Sequence, residues 1–96
     1  MKVRFDLGRR IKMWYVYVLQ SETDNNWYTG CTQDLQKRVQ EHNDGKTFST
    51  KHRGPWKLIY YEAGITKEDA FKREKYLKTA WGKRYLKNRI KGYLEK

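Results

Sequence analysis

The sequence predicts an α+β fold: a small three-stranded sheet, mixed or antiparallel, covered by helices in the order β-β-α-β-α-α. Two runs of strand length, residues 13–20 and 56–62, are dense in aromatic and branched aliphatic side chains. Polar groups rich in Asn, Asp and Gly punctuate the chain between them. Threonines at 32 and 66 stand just ahead of segments whose apolar residues recur at helical spacing.

Residues 13–20, Met-Trp-Tyr-Val-Tyr-Val-Leu-Gln, leave no polar face, so the first strand should be covered on both sides. Asp24-Asn25-Asn26 can turn the chain into a second short strand, residues 27–31, paired with the first as an antiparallel hairpin. In the helix that follows, Thr32 is the expected cap and Asp34 complements the dipole. Leu35 and Val39 lie four apart on its apolar side, and Asn43-Asp44-Gly45 stops it, with Gly45 suited to a left-handed cap. Residues 46–55 form a basic loop ahead of the third strand, 56–62. Thr66 then caps a second helix with the stripe Ala70, Phe71, Leu77, Ala80 and Trp81, broken at Gly82, and residues 83–91 make a third.

Ninety-six residues suit one domain of modest stability, read as residues 13–96 behind a basic N-terminal arm, 1–12. Lys and Arg number 22 against 11 Asp and Glu, a net charge of +11. So strong a positive field attracts polyanions, and nucleic acid is the leading partner. A merely solvated basic surface is the plainer reading. One cysteine, Cys31, excludes an internal disulfide, and no Cys/His group has zinc spacing. No run approaches the roughly 20 apolar residues of a membrane span, and the N-terminus lacks a signal-peptide core. A cytoplasmic protein without a membrane partner is expected.

Glu74 is the most informative position. Helical geometry sets it between Phe71 on one side and Ala70, Leu77 and Trp81 on the other, inside the apolar stripe. A carboxylate there needs compensation, from a neighbouring Lys or Arg or from a metal ion. One carboxylate with water and substrate phosphate is an ordinary Mg2+ arrangement. Arg38 and His42, four apart, share a helix face; they are a solvated edge, or a guanidinium fork and a proton carrier for a phosphate. Tyr17 and Tyr28 are core aromatics with wet hydroxyls, or phenols made more acidic by the positive field. Gly30 marks a close approach by backbone or ligand. Lys46, Lys51 and Arg53, in the basic loop, are candidate phosphate contacts. Trp27 and Trp56 could stack on bases, although burial suits them better.

Tyr15-Val16-Tyr17 and Tyr28-Thr29-Gly30, with ten residues between them, resemble the two triplets that name the GIY-YIG nuclease superfamily. Residues 32–43 resemble that family's first helix, and Glu74 within Arg73-Glu74-Lys75 resembles its acidic metal position. The resemblance runs from Met13 to Ile90 and is nearest to the small stand-alone branch, itself similar to the N-terminal domain of the excision-repair excinuclease. Tyr15 replaces the Gly of the first triplet and Thr29 the Ile of the second. The resemblance implies an endonuclease using Mg2+ or Mn2+, with DNA favoured over RNA and a place in repair or recombination. In it, Glu74 holds the metal, Tyr17 helps deprotonate the attacking water, and Arg38 stabilises the phosphate. Tyr28 and His42 position groups and assist proton transfer, Gly30 admits a helix or substrate, and Asn88 corresponds to a C-terminal Asn of many relatives. A monomer making single cuts is expected. The alternative is a module that binds nucleic acid without cutting it.

Overall fold

The computed structural model describes residues 12–96; the arm expected at 1–12 lies outside the described residues except for Lys12, which is exposed. Strands β1 (Trp14–Ser21), β2 (Trp27–Thr32) and β3 (Trp56–Gly64) form one antiparallel sheet in the order β2-β1-β3. Helix α1 (Leu35–Asn43) lies between β2 and β3 in the chain, and α2 (Lys67–Leu77), α3 (Ala80–Arg89) and the short α4 (Lys91–Leu94) follow.

The central place of β1 explains its composition. Val16, Tyr17, Val18 and Leu19 are consecutive and all buried, so both faces of the strand are covered. Tyr17 and Leu19 face α1, packing with Trp56 against Leu35, Val39, Tyr28 and Leu58. Val16 and Val18 face the other way, onto Ala70 and Leu77 of α2 and Leu86 of α3. The result is three layers: α1, the sheet, and the α2–α3 pair. Between Val18 and Leu19 the pairing with β3 slips by one residue, a bulge that keeps Ile59 on the α2–α3 side.

The helix boundaries correct two expectations. Thr32 ends β2 instead of capping α1, and Asp34 is the cap, its carboxylate accepting from the Lys37 N–H at 3.1 Å. Thr66 does cap α2, and Gly45 does take the left-handed conformation, with φ 74°. The second helix stops at Leu77, not at Gly82. Thr79 starts the next one by accepting from the Gly82 N–H at 3.1 Å and donating to the Tyr76 carbonyl at 2.6 Å. Ala80 and Trp81 therefore belong to α3 and lie exposed, outside the predicted stripe, and Phe71 is exposed as well. Gly82 is the point of closest approach between helices: a side-chain carbon there would overlap the Tyr76 carbonyl and the Leu77 Cα.

Candidate active site

The site begins with a register. Tyr17 of β1 lies directly opposite Gly30 of β2, and its phenol sweeps across the glycine, where a side chain would overlap the Tyr17 ring and hydroxyl. The group that comes close to Gly30 in this structure is the Tyr17 ring.

Helix α1 supplies the next two groups. His42 is 1% exposed, and its Nε2 lies 2.9 Å from the Tyr17 hydroxyl. Its Nδ1 lies 2.7 Å from Oγ1 of Thr50, a fully buried residue of the basic loop. Thr50 Oγ1 in turn donates to the Thr47 carbonyl at 3.5 Å. With Tyr17 donating to Nε2, each hydroxyl and ring nitrogen in this chain finds one donor or acceptor, ending at a backbone carbonyl. The Tyr28 ring closes the cluster, 4.9 Å from His42 and 6.4 Å from Tyr17 between centroids. Thr50 is a member of this hydrogen-bonded chain that the sequence does not reveal; nothing separates it from Ser49 or Thr47 until the loop is folded over His42. Asn43 fixes the loop's far end, accepting from the Trp56 N–H at 2.6 Å and donating to its carbonyl at 3.1 Å.

Burial sets the protonation states. It pushes the Tyr17 phenol up to about 12, against the downward pull of the Arg38 guanidinium. The expectation that positive charge would make Tyr17 more acidic is thus reversed: the hydroxyl is too thoroughly desolvated, and Tyr28 and Glu74 add to the rise. Burial, assisted by Arg38, lowers the His42 imidazole to about 4, so at neutral pH it is uncharged. The neighbouring Tyr17 hydroxyl holds the Arg38 guanidinium in its charged form, and Glu41 accepts from its Nη1 at 3.2 Å.

The depressed His42 value has a consequence for stability. Its ordinary value is 6.5, so between pH 6.5 and 4 the unfolded chain binds a proton that the fold refuses. Stability should therefore decline as pH falls through that window, by up to about 3 kcal/mol. Urea midpoints measured from pH 7 to 4 should show this decline in wild type and a flatter profile in His42→Gln. Equal slopes in the two proteins would refute the assignment.

Glu74 comes from the opposite layer. Its side chain is 23% exposed, and Oε2 accepts from Lys78 Nζ at 2.8 Å. The ion pair that the sequence allows is thus present. Behind burial, the same carboxylate adds to the upward shifts of Tyr17 and Cys31. A cleft of about 320 Å3, lined by Trp14, Cys31, Asp34, Lys37 and Arg38 among others, opens beside the guanidinium. A larger groove of about 580 Å3 between α1 and β3 contains none of the cluster. Among the described residues, no group of three or more His, Cys, Asp or Glu could cage a metal. The donor set instead fits a hard cation held by one carboxylate and completed by water and phosphate oxygens. The Cys31 thiol, raised by burial, is no ligand for such an ion.

The remaining candidates are scattered. Lys46 and Lys51 are exposed on the loop, Lys51 lying over the Phe48 ring. Arg53 is occupied structurally, stacked on Trp56 and 3.7 Å from Asp24. Asn88 is exposed on α3, in a groove with Tyr76, Trp81 and Arg84 that includes no member of the tyrosine–histidine cluster. Trp56 is buried and Trp27 half-buried, whereas Trp81 stands exposed.

Residues 13–91 match the family described as the GIY-YIG catalytic domain. The chain belongs to the GIY-YIG family, a class of nuclease domains. It is similar to the UPF0213 proteins, among them YazA of Bacillus subtilis, 48% identical over 65 residues. That alignment covers 67% of this chain and 65% of YazA, so the chain spans about two thirds of that relative's length. The protein SSP2268 of Staphylococcus saprophyticus is 39% identical over 74 residues, 76% of this chain and 89% of the relative. The solution NMR structure of BH0048 from Bacillus halodurans is 36% identical, covers 77% of this chain and 81% of that one, and has a TM-score of 0.49. Among the described residues no helix is long and apolar enough to cross a membrane.

Proposed function

We propose that this protein is a Mg2+-dependent endonuclease that hydrolyses phosphodiester bonds, with DNA favoured over RNA and a role in repair or recombination. The observation that carries the reading is the convergence at Tyr17. Its hydroxyl meets His42 at 2.9 Å and sits beside the Arg38 guanidinium, and the Tyr28 ring packs 4.9 Å from the His42 ring.

Glu74 would hold the metal, which would supply charge neutralisation at the scissile phosphate. Arg38, at the mouth of the cleft, would present its planar fork to the phosphate as negative charge builds up. Tyr17 would help deprotonate the attacking water, its hydroxyl fixed by the neutral Nε2 of His42 and orienting the water while the proton passes to an oxygen of the phosphate. This route avoids the free phenolate that burial disfavours. Tyr28 would pack the imidazole in place. Domain limits of 13–96 and action as a monomer, one cut per binding event, belong to the same proposal.

A second reading, binding without cutting, is favoured by one observation: Lys78 already neutralises Glu74. The two readings separate in one experiment. Purified protein is incubated with supercoiled plasmid, branched DNA and structured RNA in Mg2+, in Mn2+ and in EDTA. Cleavage with either metal that stops in EDTA is expected. Binding to these substrates with no cleavage in either metal would overturn the enzyme and leave the binding module.

A further inference from the structure

The last 17 residues, 80–96, carry six Lys or Arg and a single acid, Glu95. They also carry the largest exposed aromatic side chain of the described surface. Trp81 is 67% exposed, although its size and apolar character favour burial. It is not isolated. The Arg84 guanidinium stacks over its ring at 5.0 Å, and Arg73 is held between the Tyr76 and Tyr85 rings at 5.2 and 4.8 Å. Trp81, Tyr76, Tyr85, Arg84, Lys87 and Asn88 line one open groove of about 740 Å3. Tyr76 and Tyr85 are themselves partly exposed.

Scattered apolar residues on a surface need no explanation, but an indole and two phenols interleaved with guanidinium and ammonium groups have a specific chemical complement. Cations along the groove suit a phosphate backbone, and an upright indole suits the face of a base. A duplex hides its base faces in the stack, so only an unpaired strand offers both at once. A second copy of this chain is a poor occupant, since it would bring the same excess of positive charge to the groove.

We propose that the α3–α4 groove binds unpaired nucleotides, with Trp81 stacking on a base and Arg84, Lys87 and Lys91 following the backbone. This extends the nuclease reading by naming a substrate feature, a single-stranded segment or flap, engaged outside the Tyr17–Glu74 site. The binding itself requires neither metal nor Glu74.

The test is therefore done in EDTA at fixed salt. Fluorescence anisotropy is recorded with labelled dT and rU strands of about 12 nucleotides, a duplex of equal length and an abasic strand with the same phosphates. Wild type should bind the unpaired strands more tightly than the duplex. Trp81→Ala should weaken binding to the unpaired strands about tenfold or more while changing duplex and abasic binding less than about twofold. Trp81→Phe should recover much of the loss, and Ile65→Ala, at an exposed apolar residue outside the groove, should bind like wild type. Because Trp81 is exposed, the variants should keep the wild-type melting temperature. The dT and rU arms tell DNA from RNA. The inference is overturned if Trp81→Ala leaves single-strand affinity unchanged, or weakens all four probes equally. It is also overturned if the substitution abolishes binding to anionic vesicles, or converts a dimer to a monomer, without altering strand binding. Trp81-dependent binding without cleavage would leave this inference standing and remove the nuclease reading; cleavage without it would do the reverse.

Discussion

Glu74→Gln should abolish metal-dependent cleavage, with a loss of about a hundredfold or more under conditions where wild type cuts. The substitution keeps the shape of the side chain and one oxygen but removes the charge that would hold a hard cation. Among the described residues no group of three or more His, Cys, Asp or Glu is present that could hold the ion without it. The fold should be nearly indifferent. The partner lost is Lys78, half exposed at the end of the same helix, and such pairs contribute at most about 1 kcal/mol. A melting temperature within a few degrees of wild type, combined with the loss of cleavage, is the expected pattern. Cleavage at the wild-type rate in the variant would remove Glu74 from the chemistry.

The second large effect concerns stability. Gly82→Ala should destabilise the domain by about 3 kcal/mol or more, which for a chain of this size lowers the melting temperature by roughly 12 °C or more. Alanine is normally the better helix former, so propensity predicts the opposite sign. The added carbon would meet the Tyr76 carbonyl and the Leu77 Cα, both backbone, and neither can swing aside as a side chain would. Relief requires α3 to lift from α2, uncovering Leu86 and Leu77 together. Thermal melts of the two proteins settle the matter; a difference under about 3 °C would mean that the helices do not cross so closely.

The fold is most legible in the sequence where one short-range signal dominates. The four consecutive buried residues of β1 suit only a strand covered on both faces, and Thr66 announces α2 through its own side chain. Tyr17, Arg38, His42 and Glu74, the candidate site, stand out in the sequence as residue types at the spacing the family resemblance implies. What stays hidden depends on the third dimension. The break at Thr79 is masked because Ala80 and Trp81 continue the α2 periodicity, and only the tight packing at Gly82 forces a turn there. Thr50 carries no mark of its buried place beneath His42. The Tyr17 shift runs opposite to the expected direction because net charge is legible in a composition and desolvation is not. Trp81 reads as core for the same reason that its neighbour Ala80 does.

The three-layer arrangement bears on how such a site can be lost. Tyr17 reaches His42 through one helical layer, while Glu74 is delivered by the other, and the sheet lies between them. Losing α1 would separate the phenol from the imidazole, and losing α2 would carry Glu74 away. A molecule that had lost one cover would keep its positive charge and lose part of the proposed site.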